Sequence, residues 1–433
     1  MAPDRQWGFR TRALHAGGQP DPTTGARAVP IYQSTSFVFE DTDDAADLFA
    51  LQKYGTIYSR ISNPTTAAFE ERVASLEGGI GAVATASGQA AEFLTVTTLA
   101  GAGDHLVAAA SLYGGTYTLL ATTLSRLGIE TTFVDNSSVD SFAEAIKDST
   151  KLLYTEVIGN PSGAIADIGA LAEVAHAHGL PLVIDATFAT PYLCRPIEFG
   201  ADIVLHSATK FIGGHGTSIG GVVTEAGRFD WTAAGRFPRF TDPVATYNNL
   251  RWHDNFGEYA FCTALRAEQL RDVGACLSPF NAFLFLQGIE TLPQRMEAHV
   301  ANAKAVAAWL DADDRVSWVA HADLPGSPYR DLAQRYLPLG AGAIFTFGLV
   351  GGRKAGQRFI ENLQMISHLA NVGDARTLVI HPASTTHQQM SDTQLEQAGV
   401  GPDMVRLSVG LEDLDDILWD LDQALDAART VSG

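Results

Sequence analysis

The sequence predicts an α/β fold: a mostly parallel seven-stranded sheet with helices on both faces, followed by a smaller α/β domain. Three observations carry this. Short apolar, β-branched runs recur between Gly81 and Thr224. Helical stretches separate most of them, the alternation expected of a parallel sheet covered on both sides. At 433 residues the chain is also too long for one ordinary core and suits two domains.

Residues 1–63 are rich in Gly, Pro, Thr and aromatics without a helical or strand period, as in Gly17-Gly-Gln-Pro-Asp-Pro-Thr-Thr-Gly25. A segment of that length without regular structure is expected to dock on something. Its aromatics (Tyr32, Phe37, Phe39, Phe49, Tyr54, Tyr58) predict an arm contacting a neighbouring subunit. Residues 64–285 form the expected large domain. Asn63 is a good N-cap, Pro64 suits a first turn, Phe69, Val73 and Leu76 share one face, and Gly78-Gly79 stop the helix. Strands are expected over 81–86, 105–109, 131–134, 152–157, 182–185, 203–205 and 221–224. Helices are expected near 90–99, 116–127, 141–147 and 171–178. An irregular aromatic stretch, Trp231 to Phe261, reads as packing or subunit contact. One long helix over 286–310 is expected to lead into the small domain, 286–433, with strands at 343–350, 377–380 and 405–409.

A net charge of −20 (29 Lys and Arg against 49 Asp and Glu) repels phosphate backbones and anionic lipid, so neither nucleic acid nor membrane is an expected partner. No segment approaches the ~18 uninterrupted apolar residues of a membrane span, and the first residues hold no apolar signal core. Cys194, Cys262 and Cys276 are widely spaced, as reduced buried thiols are. Together these place the chain in the cytosol.

Lys210 and Asp185 each close an apolar strand-like run. Ligands on parallel sheets sit beyond the carboxyl ends of the strands, so the two can meet there. A lysine amine can attach a pyridine aldehyde, and a carboxylate can hold the ring nitrogen protonated, which together suggest pyridoxal 5'-phosphate. Ser87-Gly88-Gln89 opens a helix directly after a strand, a setting that favours a phosphate, and Ser207 and Thr209 can add hydroxyl donors. Tyr58 and Arg60 bring a phenol and a guanidinium suited to phosphate oxygens. Tyr113, just past a strand, can stack on the ring. Arg406 lies inside an apolar run and needs a partner, either a substrate carboxylate or an internal acid.

These residues lie in motifs that resemble the Cys/Met-metabolism family of pyridoxal-phosphate enzymes, of fold-type I. They are Tyr58-Ser-Arg-Ile-Ser-Asn-Pro-Thr65, Ala86-Ser-Gly-Gln-Ala90, Leu112-Tyr-Gly-Gly-Thr116, Glu156-Val-Ile-Gly-Asn-Pro-Ser-Gly163, Val183-Ile-Asp-Ala-Thr-Phe-Ala-Thr190, Ser207-Ala-Thr-Lys-Phe-Ile-Gly-Gly-His215 and His381-Pro-Ala-Ser. Three stretches, residues 255–261, 271–283 and 369–389, are most similar to the members that place sulfide on Cγ of a homoserine ester. Methionine γ-lyases of the family usually carry a cysteine where this chain has Gly115. Cystathionine γ-lyases usually carry Glu and Ser where it has Ala370 and Asn371.

The resemblance implies that Lys210 holds the cofactor, Asp185 its ring nitrogen and Tyr113 its ring face, with Lys210, Tyr113 and Asp185 the catalytic set. It implies that Ser87, Gly88, Gln89, Ser207 and Thr209 line the phosphate, with Tyr58 and Arg60 arriving from a neighbouring subunit. Thr187 would flank the pyridine, Asn160 would meet the cofactor and the substrate, and Arg406 and Asn371 would bind substrate. No metal is implied. The implied reaction is γ-replacement: O-acetyl-L-homoserine and sulfide give L-homocysteine and acetate, in methionine biosynthesis, by a cytoplasmic homotetramer. The alternatives are cystathionine γ-synthesis, O-acetylserine sulfhydrylation or γ-elimination, and more remotely an inactive binding or regulatory homologue.

Overall fold

The structure of the protein, a computed structural model, describes residues 7–135, 138–385 and 400–429. Met1–Gln6 and the Thr386–Gln389 end of the last similar stretch lie outside the described residues.

The seven expected strands all form: β1 Gly81–Thr85, β2 His105–Ala109, β3 Glu130–Val134, β4 Thr150–Glu156, β5 Leu182–Asp185, β6 Ile203–Ser207 and β7 Gly221–Glu225. Their order in one sheet is β1-β7-β6-β5-β4-β2-β3. All neighbours are parallel except β7, which runs against both β1 and β6. Two reversals restore direction, so β1 points the same way as β2 to β6. The carboxyl ends of six strands therefore open on one edge. β2 is buried at all five positions, as a strand covered on both faces must be.

The helix Pro64–Glu77 starts and stops as its sequence dictates. The Asn63 side chain accepts from the Thr65 N–H at 3.0 Å, and Gly78 takes the left-handed conformation with φ 81°. Its buried Phe69 packs on Phe285, with ring centroids 5.5 Å apart, and so joins the start of the chain to its middle.

Three expectations need correction. Residues 7–63 are not without regular structure, since they contain two short helices, Phe9–His15 and Thr42–Phe49. The single helix expected over 286–310 is two helices, Pro279–Glu290 and Leu292–Asp311, broken at Thr291 with φ −110° and ψ 9°. Pro293 has no N–H to give the carbonyl four residues back, so the first helix cannot run on through it. Cys194 and Cys262 are buried free thiols, but Cys276 is only half-buried.

A second sheet follows, with β8 Val316–Ala320, β9 Ile344–Leu349, β10 Ser367–His368, β11 Leu378–Ile380 and β12 Met404–Ser408 in the order β10-β11-β12-β9-β8. Within the aromatic stretch, Trp231, Phe237, Phe240, Tyr247, Trp252 and Phe261 are buried, so most of it packs internally. Among the described residues no helix is long and apolar enough to cross a membrane.

Candidate active site

At the shared carboxyl edge lies a cavity of about 250 Å³. The structure brings twelve of the residues picked from the sequence to its wall: Ser87, Gly88, Gln89, Tyr113, Asn160, Asp185, Thr187, Ser207, Thr209, Lys210, Asn371 and Arg406. Tyr58 and Arg60 do not reach the cavity of their own chain. The Arg60 guanidinium lies 5.4 Å from the Tyr58 ring centroid and donates to the Arg271 carbonyl.

Lys210 sits in the turn that leaves β6, and its Nζ donates to Asn371 Oδ1 at 2.5 Å. Burial, and then the Arg406 charge, lower its pKa to about 8. The loop after it is held by Arg295, which donates to the Phe211 carbonyl at 2.7 Å and the Gly288 carbonyl at 2.7 Å. Asp185 ends β5, and its Oδ1 accepts the Thr187 N–H at 2.7 Å. Burial raises its pKa while the Thr187 bonds pull it back. Thr187 Oγ1 in turn accepts the Ser207 N–H at 2.8 Å, so β5 and β6 are locked together where the lysine leaves.

The start of helix Gly88–Leu99 forms the next wall. Ser87 caps it by accepting the Ala90 N–H at 3.0 Å, and the remaining first-turn amides can face an anion. Gly88 is required here: a Cβ would stand 2.7 Å from Ser207 Cβ and close the gap between helix and strand end. Thr209 Oγ1 accepts the Gly220 N–H at 3.1 Å, pinning the last turn of this cradle. An anion cradle, an amine of lowered pKa and a carboxylate in one cavity fit a phosphorylated pyridine aldehyde.

Tyr113 is half exposed and its ring covers Gly115, where a Cβ would meet Tyr113 Cε1 at 2.4 Å. Arg406, on β12, reaches the cavity from the second sheet. Among the described residues no acid forms an ion pair with it, which leaves the guanidinium open to a substrate carboxylate. Burial lowers its pKa, and the Tyr113 phenol acts the other way. A guanidinium so placed can receive a substrate carboxylate in bidentate fashion.

Sequence reasoning missed two buried acids in the wall, Glu92 and Glu156. Glu92 accepts from Thr116 Oγ1 at 3.0 Å and from Gln89 Nε2 at 2.8 Å, and burial, then Asp185, holds its pKa well above the carboxylate range. Glu156 had a legible signal, because it closes the apolar run Leu152-Leu-Tyr-Thr-Glu156 as Asp185 closes its own. Ile158, Phe188, Ile219, Ala370 and Val372 supply apolar lining.

Comparison with known proteins places the chain in a family. The profile of the family described as Cys/Met metabolism PLP-dependent enzyme matches residues 10–426. The chain is 50% identical over 424 residues to the O-acetyl-L-homoserine sulfhydrylase of Leptospira meyeri, covering 96% of each. It is 50% identical over 422 residues to the homocysteine synthase of Schizosaccharomyces pombe, covering 97% of this chain and 98% of that one. A Campylobacter jejuni crystal structure, assigned as an O-acetylhomoserine (thiol)-lyase and carrying a pyridoxyl-lysine phosphate, superposes with TM-score 0.93 at 37% identity. It covers 97% of this chain and all of that one. The chain belongs to the Cys/Met-metabolism family of pyridoxal-phosphate-dependent enzymes.

Proposed function

We propose that this enzyme makes L-homocysteine and acetate from O-acetyl-L-homoserine and sulfide, as a step of methionine biosynthesis. The observation that carries the chemistry is the convergence of Lys210, Asp185 and Arg406 on one cavity. The substrate rests on the printed activities of relatives about 50% identical over nearly the whole chain.

Bound pyridoxal phosphate supplies a carbonyl for amines and an electron-accepting ring. The protein does the rest. Arg406 holds the substrate carboxylate, and Asn160 adds a polar contact beside it. Asp185 supplies the anion opposite the ring nitrogen, flanked by Thr187. Ser87, Gly88, Gln89, Ser207 and Thr209 hold the phosphate, and Tyr113 covers the ring. Acetate on Cγ is too far from the acidic Cα proton for direct loss, so protons must leave both Cα and Cβ before it departs. Lys210 is the base placed to move them, and Asn371 gives its amine a resting partner once it is free of the cofactor. Sulfide then adds at Cγ, and the protons return in reverse order.

The same reading includes a cytoplasmic homotetramer with active sites shared between subunits, Tyr58 and Arg60 completing a neighbour's phosphate site. Support comes from apolar side chains left bare on the arm, among them Val38 at 100% and Tyr54 at 88% exposure. It also divides the chain into arm (1–63), cofactor domain (64–285) and small domain (286–433), in line with the two separate sheets.

A product assay with O-acetylhomoserine tests the reaction. Homocysteine is expected only when sulfide is supplied. Cystathionine formed with cysteine would reassign the enzyme to γ-synthesis, and 2-oxobutyrate with ammonia in the absence of any thiol to γ-elimination. A protein that stays colourless with added pyridoxal phosphate would mark an inactive homologue.

The Lys210 amine gives a second prediction, about pH. Only the neutral amine attacks an aldehyde, and its pKa in the cofactor-free protein is lowered to about 8. Stopped-flow capture of pyridoxal phosphate should therefore quicken about tenfold per pH unit below that value and level off above it. A midpoint near that of an ordinary lysine, ~10.4, would contradict the buried, Arg406-facing amine.

A further inference from the structure

We infer that Glu156 is a positioning residue that sets Tyr113 and Asn160 with a single carboxyl group. This rests on the proposed roles of Tyr113 over the cofactor ring and Asn160 beside it. Glu156 is the last residue of β4, only 6% exposed, and its register partner on β5 is Asp185. Its side chain is thus rooted in the rigid sheet beside the carboxylate that meets the ring nitrogen.

From there it reaches two separate loops. Oε1 accepts the Tyr113 N–H at 2.6 Å, and Oε2 accepts the Asn160 N–H at 3.2 Å. The first loop leaves β2, and the second leaves β4 itself. Neither amide belongs to a regular helix or strand ladder, so without Glu156 each loses its partner in a cavity wall, where an unmade hydrogen bond is costly.

A carboxyl group is suited to this in a way that an amide is not. It presents two acceptor oxygens in one plane, whereas an amide presents one acceptor and one donor. The position is an expensive one for an acid: burial, then the neighbouring Asp185, raise its pKa well above the ordinary range, and the two N–H groups pull against them. Strand-end packing alone would be met by an apolar residue, like the Leu152 and Leu153 buried earlier on β4. An acid held there at that cost is explained by what it holds.

The experiment is Glu156→Gln in the full-length holoenzyme, with Glu156→Asp beside it. The amide keeps length but turns a donor toward one of the two N–H groups. The shorter acid keeps both oxygens and draws them back by one methylene, and it serves if the amide variant does not fold. In either variant, amide exchange followed by mass spectrometry should quicken in peptides covering 111–117 and 158–163 and stay unchanged in 105–109. The visible circular dichroism of bound cofactor should fall by half or more, because the ring loses its fixed cover. Turnover per bound cofactor should drop by about 10²-fold, the cost of misplacing groups by roughly 1 Å, while cofactor content is retained. Exchange and dichroism like those of the parent would overturn the inference. So would a loss of activity that only follows a loss of bound cofactor, which marks a merely structural role. Exchange and dichroism need no substrate, so a parent enzyme that fails to make homocysteine sinks the proposed reaction and leaves this test intact.

Discussion

Lys210→Ala is expected to lower turnover by at least about 10⁴-fold, because one side chain both attaches the cofactor and moves protons at more than one carbon. The cradle formed by Ser87, Gly88, Ser207 and Thr209 is untouched by this change, so pyridoxal phosphate should still bind, but reversibly. Dialysis should therefore bleach the variant and leave the parent coloured. Measured turnover within tenfold of the parent would show that another group removes the Cα proton. Among the described residues no other amine lines the cavity, and Asn371, which accepts from Lys210 at 2.5 Å, cannot act as a base.

Asp185→Asn should separate catalysis from stability. An amide cannot sustain a positive ring nitrogen, and loss of a fixed charge partner of this kind costs about 10²–10³-fold in turnover. The folded protein without cofactor should respond in the opposite sense. Burial raises the pKa of Asp185, so ionising it costs the native state stability. That cost is absent well below the unfolded carboxylate pKa of ~3.9 and grows as pH rises toward the raised native value. At neutral pH the cofactor-free variant should accordingly melt higher than the cofactor-free parent, by differential scanning calorimetry, and the gain should vanish in acid. An unchanged melting temperature at neutral pH would mean that Asp185 is already compensated before the cofactor arrives.

Most of the cavity wall that could be read from sequence lies at or just past a strand end on the same edge, with Arg406, inside β12 of the second sheet, the exception. Lys210, Asp185, Tyr113 and Ser87 could be gathered because apolar, β-branched runs such as Leu182-Val-Ile and Ile203-Val-Leu announce buried parallel strands, whose carboxyl ends collect ligands. Elements whose local signal is weak were lost. Val316–Ala320 is a half-buried edge strand containing Ser317, and Ser367–His368 is only two residues long. Phe9–His15 and Thr42–Phe49 are too short to show a period. The break at Thr291 lay hidden because Pro293 is tolerated in a first turn, and reading it that way requires knowing that a new helix begins there. Glu92 and Glu156 were passed over because an acid is expected on a surface. For Glu156 the apolar run it closes was the signal, whereas the burial of Glu92 beside Asp185 shows only in the folded chain.

The contact between Tyr113 and Gly115 constrains how this enzyme can diverge. With the ring 2.4 Å from where a Cβ would stand, no side chain fits at 115 until the phenol swings away. A thiol at that position, as the family's methionine γ-lyases usually carry, cannot be added while the rest of the pocket stays as it is. Its effect must be non-additive with any change at Tyr113. The half-exposed phenol must move to make room for any side chain at 115, so a substitution there alters the position of the ring even where the tyrosine itself is kept.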